Sequence, residues 1–174
     1  MKSLTKKLAF CALFAALCCV STLLITVPLP NGYFNTGDVF VLLSGWFLGP
    51  LYGAIAAAVG SALADVWSGF ALYAPATFLI KGLNAALAWF VVLLIKKVIK
   101  KDSLDFISRI AGAIAGETVM VLGYFLFEIV LYGVAGAAAS LIGNTLQGVC
   151  CATLAVILFS ALYPVKTVRE LFKL

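Results

Sequence analysis

Long stretches without a charged side chain constrain this chain more than any other feature. Leu8 to Val27 is the first, and comparable apolar runs follow through to Tyr163. A helix rises about 1.5 Å per residue, so about 20 apolar residues cross the hydrocarbon core of a bilayer. Lipid offers no partner to a free N–H or C=O, which leaves helices or a closed barrel as the only spanning structures. A barrel needs apolar and polar residues alternating in runs of about ten, and no such alternation occurs here. Composition agrees: 64% of the 174 residues are hydrophobic and 11% charged, against about half and a quarter in soluble domains. Mean hydropathy is +1.16.

The runs predict an all-α integral membrane protein, one domain over residues 1–174, built as a bundle of six transmembrane helices. The first span covers Leu4 to Val27 and ends at Pro28 and Pro30, which cannot continue a helix. Its start, Lys2, Lys6 and Lys7 before an apolar run, imitates a signal peptide. The run is long for one and lacks a lipoprotein cleavage site, so it is read as a retained span. A polar loop, Asn31 to Asp38, follows. Val39 to Leu48 and Tyr52 to Trp67, separated by Gly49-Pro50, are short second and third spans expected inside the bundle. The fourth runs from Leu72 to Ile95, the fifth from Ile107 to Leu131 and the sixth from Ala138 to Tyr163.

Positive charge sets the orientation, because Lys and Arg mark cytoplasmic loops. Lys2, Lys6 and Lys7, then Lys96, Lys97, Lys100, Lys101 and Arg109, then Lys166, Arg169 and Lys173 all fall on one side, leaving Lys81 alone of the 12 basic residues. Both termini are therefore expected in the cytoplasm, in a bacterial or archaeal cell membrane. The net charge of +5 is no nucleic-acid signal, since no basic face interleaved with aromatics occurs.

Ionisable groups inside a span are costly and by default mark function. Lys81, Glu117 and Glu128 qualify, with Asp65 near the outer end of the third span. Tyr73, Thr77, Lys81 and Asn84 recur at helical steps and form one stripe. Glu117, Tyr124 and Glu128 form a second, and Ser140, Asn144 and Gln147 a third. With Asn35, Asp38 and Trp67, most of these groups lie in the outer half, which predicts a cavity open to the outside. The bland readings stand beside this one. Lys81 and Glu128 could form a register-fixing ion pair, Asn144 and Gln147 interhelical glue, and Trp67 and Tyr73 interfacial anchors.

The five cysteines lie in apolar runs without CxxC spacing, and the chain has no histidine, so they read as small packing residues. No phosphate-binding GxxxxGK[ST] loop, nucleophile with a base, or metal cluster is present. The chain reads as no enzyme and calls for no cofactor or metal. Rival readings are a self-sufficient proton-coupled carrier using Glu117 and Glu128, and a structural or assembly membrane protein.

The stretch Gly37-Asp38-Val39-Phe40-Val41-Leu42-Leu43-Ser44-Gly45-Trp46-Phe47-Leu48-Gly49-Pro50-Leu51-Tyr52-Gly53, continued by Ala64-Asp65 and by Tyr73 to Gly82, resembles the substrate-binding S components of energy-coupling factor (ECF) vitamin transporters. Size, span number and topology resemble them too. The resemblance implies that the chain captures a small water-soluble vitamin outside and associates with a transmembrane T component driven by two cytoplasmic ATPases. It implies a pocket near the outer face covered by the loop after the first helix. It also implies a contact face for the T component on Ala12, Ala16 and Val20. The branch most resembled handles riboflavin, pyridoxine and hydroxymethylpyrimidine; lysine, carboxylate, amide and aromatic side chains together suit a flat polar heterocycle with hydroxyl groups, and pyridoxine or hydroxymethylpyrimidine is read ahead of riboflavin.

Overall fold

A computed structural model describes residues 4–29, 31–98 and 105–172; Lys2, Lys100, Lys101 and Lys173 of the charge pattern, and Pro30, lie outside them. Among the described residues the chain forms five helices, α1 (Leu4–Leu24), α2 (Gly37–Trp67), α3 (Ala74–Val98), α4 (Asp105–Leu162) and α5 (Lys166–Phe172), and two short strands, β1 (Thr26–Leu29) and β2 (Gly32–Asn35). Helices α1 to α4 are long and apolar enough to cross a membrane. The distribution is inside-out relative to a soluble protein. On α3, Leu79, Leu83, Phe90 and Leu94 face outward while Thr77, Lys81 and Asn84 are buried. Lipid is as apolar as leucine, so burial of apolar surface does not drive the bundle together; close packing and buried hydrogen bonds do.

Two glycines break the long helices. Gly49 has φ 82° and ψ −179°, and Gly133 φ 73° and ψ 174°, values reached without strain only by a residue lacking Cβ. The chain reverses at both. A Cβ built on Gly53 would lie 2.7 Å from the Cα of Gly45, whereas eight residues of straight helix would separate the two by about 12 Å. A Cβ on Gly148 would lie 3.2 Å from Glu117 Cβ, against roughly 45 Å along a straight helix. Helices α2 and α4 are therefore each two arms folded back on one another. The expected break at Gly49-Pro50 is where the first reversal falls.

Small residues set the interhelical distances. A side chain on Gly45 would run into the Ala85 carbonyl of α3, and one on Gly60 into the Ala15 carbonyl of α1. Gly53, Ala57, Ser61 and Asp65, at steps of four along the second arm of α2, are buried along their whole stripe. At the end of the bundle that carries Lys96, Lys97 and Lys166, an aromatic core closes the interior: Phe14, Trp46, Phe47 and Phe159, with Phe172 of α5 against them. Arg109 is not a loop charge as its place in the charge pattern implies. It lies inside α4, 4% exposed, with its guanidinium 4.0 Å from the centre of the Phe159 ring, a cation–π contact that also neutralises against Asp105 at 3.6 Å. Cys11, Cys18, Cys19 and Cys151 are buried and Cys150 faces outward; all five are free thiols.

The strands depart from the all-α expectation. Helix α1 stops at Leu24, short of Val27, and Thr26–Leu29 pairs antiparallel with Gly32–Asn35, Val27 opposite Phe34 and Pro28 opposite Tyr33. Pro28 disfavours helical backbone at Val27, and Ile25-Thr26-Val27 is a β-branched run that suits extended chain. The hairpin lies across the end of the bundle opposite the aromatic core. Asn31 Nδ2 donates to the Gly136 carbonyl at 2.6 Å, and a Cβ on Gly143 would lie 2.6 Å from Leu29 Cδ1.

Candidate functional site

Beneath the hairpin, a chain of buried polar groups ties four elements together. Lys81 Nζ of α3 donates to Asp38 Oδ1 in the first turn of α2 at 2.5 Å, with Lys81 3% exposed and Asp38 fully buried. The other carboxylate oxygen of Asp38 accepts from Gln147 Nε2 of α4 at 2.6 Å. Gln147 Oε1 accepts in turn from the backbone N–H of Asn35 at 2.8 Å, and Asn35 Oδ1 from the Gly37 N–H at 2.9 Å. Lys81 also lies 5.2 Å from the centre of the Tyr124 ring. Every charge in this layer has an opposite charge or a donor, as a buried ion pair requires.

Above the layer is a small capped cavity of about 40 Å³, walled by α2, α3 and α4 and roofed by Asn31, Gly32 and Tyr33 of the hairpin, with Phe70 at its rim. Tyr33 donates its hydroxyl to Asp65 Oδ1 at 2.7 Å. The second oxygen of Asp65 accepts from Thr77 Oγ1 at 2.5 Å, and Thr77 shares a 2.9 Å hydrogen bond with the Tyr124 hydroxyl. Tyr73 donates to Glu128 Oε1 at 3.3 Å. Burial, reinforced by the Asp65 carboxylate, pushes the Tyr33 phenol well above its ordinary pKa, so at neutral pH it keeps the proton it donates.

Of the residues singled out from sequence, Asn35, Asp65, Tyr73, Thr77, Tyr124, Glu128, Asn144 and Gln147 line this cavity. Asp38 and Lys81 lie below it. The register pair envisaged between Lys81 and Glu128 does not form: Asp38 takes the lysine, and Glu128 faces Tyr73. Asn84 is fully buried with neither amide atom hydrogen-bonded among the described residues, and it lies against Gly116 rather than at the cavity. Trp67 ends α2, is 67% exposed and takes no part in the wall, which is the anchor arrangement. Glu117 is buried beneath the second arm of α4, beside Gly148. Sequence reasoning missed Asn31, Tyr33 and Phe70. The first two lie in the loop that the resemblance expects to cover the pocket, but residue pattern alone marks neither of them as a cavity residue. Ala12, Ala16 and Val20 share the outward face of α1.

Apolar helices around a roofed polar cavity at one end define a membrane protein that holds a small polar solute. Residues 2–164 match the family described as ECF-type riboflavin transporter, S component, and the chain belongs to that family: it is a multi-pass membrane protein and the substrate-binding subunit of a transporter, not an enzyme. An uncharacterized protein in gap 3'region from Pyrococcus woesei is 38% identical over 133 residues, covering 75% of this chain and 83% of the relative. The fold is also similar to that in a solved structure described as "Structure and mechanism of the S component of a bacterial ECF transporter". There the TM-score is 0.67 and identity 22%, over 93% of this chain and 98% of the other.

Proposed function

We propose that the protein captures a vitamin-sized, water-soluble heterocycle from outside the cell and hands it to a T component driven by two cytoplasmic ATPases. In this reading the arms of α2 and α4 count separately with α1 and α3, giving six spans with both termini cytoplasmic. The observation that carries the reading is the roofed polar cavity at the end of the bundle opposite the basic residues. The hairpin is the lid. A volume of about 40 Å³ holds water but no vitamin, since ligand pockets are of the order of 300 Å³ or more. The lid and its Tyr33–Asp65 tie must therefore move outward for loading. Asp65, Tyr73, Thr77, Tyr124, Glu128 and Asn144 contact the ligand, while Asp38, Lys81 and Gln147 hold the floor.

A single-ring ligand such as pyridoxine or hydroxymethylpyrimidine needs less opening of so small a cavity than a tricyclic one. Riboflavin is the second reading, favoured by the description of the matching family. Calorimetric titration of the purified protein with the three compounds tests both. Stoichiometric binding of one of them is expected, and absence of binding to all three defeats the vitamin reading. The outward face of Ala12, Ala16 and Val20 is the proposed contact with the T component.

A further inference from the structure

We infer that the captured ligand is held as a ring-protonated cation, an aminopyrimidinium or pyridinium whose N–H points at Glu128 Oε2. The inference rests on the vitamin-binding reading above and narrows it to one charge state.

The cavity wall contains two carboxylates, Asp65 and Glu128, and no Lys or Arg among the described residues. The nearby cation is already spent, because Lys81 is held by Asp38 in the layer below. Asp65 is met only by neutral hydroxyls, those of Tyr33 and Thr77. Glu128 is less provided for. It is 3% exposed, its Oε1 receives one long bond from Tyr73 at 3.3 Å, and its Oε2 is buried with no partner among the described residues. A buried carboxylate oxygen without a donor is expensive, because desolvation is uncompensated. A donor supplied by the ligand removes that cost, and a charged donor makes the stronger bond.

The groups around Glu128 from each neighbouring element are Tyr73 ahead of α3, Asn31 and Tyr33 of the hairpin, Asp65 of α2, and Tyr124 and Tyr132 of its own arm. The second arm of α4 offers the buried Ser140 hydroxyl beside the Glu128 carboxyl, with Asn144 and Gln147, and no charge. None of these brings a positive charge to Glu128. A neutral ring such as riboflavin's would leave both wall carboxylates without one.

The test is spectroscopic. Hydroxymethylpyrimidine and pyridoxine are each bound to the wild-type protein at a pH about one unit above the ring-nitrogen pKa of the free probe, and the ultraviolet spectrum of the bound form is compared with those of its two protonation states. The ring-protonated spectrum is expected for the preferred ligand. Glu128→Gln, which keeps the shape and removes the charge, is expected to weaken that ligand by at least about tenfold. A bound ligand with the neutral-ring spectrum overturns the inference, as does unchanged affinity in a folded Glu128→Gln variant or a preference for riboflavin. Should the variant fail to fold, the wild-type spectrum alone decides. Absence of binding by all three compounds overturns the vitamin reading as well, whereas a tight complex with a neutral ring overturns only the charge assignment.

Discussion

Replacing Lys81 by Met deletes one half of a fully buried ion pair. Asp38, with no exposed surface, then keeps a charge whose one remaining side-chain donor is Gln147 Nε2. Breaking a buried pair by removing one partner costs about 3–5 kcal/mol, because the survivor is left uncompensated. Converting Asp38 to Asn in the same molecule removes the orphaned charge while keeping an acceptor for Gln147. The double variant Lys81→Met/Asp38→Asn is therefore expected to be more stable than Lys81→Met alone, with a coupling of about 2 kcal/mol. Reversible unfolding in mixed micelles titrated with dodecyl sulfate, run as a double-mutant cycle, measures it. Lys81 lies below the cavity wall, so the folded fraction should bind ligand with affinity changed by less than about threefold, under about 0.7 kcal/mol. A loss below about 1 kcal/mol for Lys81→Met, as for an exposed pair, or additive single effects, would refute the reasoning.

Tyr33→Phe removes the lid's bond to Asp65 and should raise the ligand dissociation rate about fivefold, equivalent to about 1 kcal/mol; a stopped-flow rate equal to wild type would sink the lid assignment. Ala12→Trp with Ala16→Trp should leave ligand binding intact and reduce copurification with the T component, since close helix approach needs small side chains; normal copurification would count against that face. In a variant stripped of native cysteines, Lys97→Cys should react with a membrane-impermeant thiol reagent only after cells are opened, and a cysteine at Ser68 should react in intact cells. The reverse pattern would invert the topology.

What the sequence disclosed and what it hid divide along physical lines. Helical periodicity is a local property, so the stripes Tyr73-Thr77-Lys81-Asn84 and Ser140-Asn144-Gln147 were legible as buried faces before any fold was known, and all but Asn144, which lines the cavity, are indeed buried. Which residue meets which across the bundle is not local. Lys81 was equally able to face Glu128 or Asp38 on spacing alone. Asp38 wins because the reversal at Gly49 brings the first arm of α2 alongside α3, where Gly45 touches Ala85. The hairpin was hidden for another reason. Strands of four residues carry too little alternation to read, and the signal that did exist, a β-branched run ahead of Pro28, was spent on ending a helix. Arg109 shows the converse error: a basic residue near a span end looks like a topology charge until its aromatic partners Phe159 and Trp46 arrive from distant positions.

The same arrangement explains why the lid can open while the floor stays put. A two-stranded hairpin alone is marginal in water, so its closure depends on ties to the bundle. Two are at its outer part, Tyr33 to Asp65 and Asn31 to the Gly136 carbonyl; at about 1 kcal/mol net for each hydrogen bond, opening them costs about 2 kcal/mol, a closed-to-open ratio of roughly thirty. That is small enough for frequent opening and large enough for a roof that stays shut between events. The remaining ties are of a different kind. Asn35 at the inner end donates twice to Gln147 Oε1, and Gln147 is itself fixed by Asp38 and through it by Lys81, so releasing Asn35 would orphan buried polar groups that cannot follow it, each at a cost of about 1–3 kcal/mol. On the lid reading proposed above, the hairpin is therefore expected to swing from its Asn35 end, with the charged layer as the anchor of the hinge. In the proposed reading Lys81 holds the floor with Asp38, and the wall carboxylates Asp65 and Glu128, neither of them in an ion pair among the described residues, are left to meet what enters.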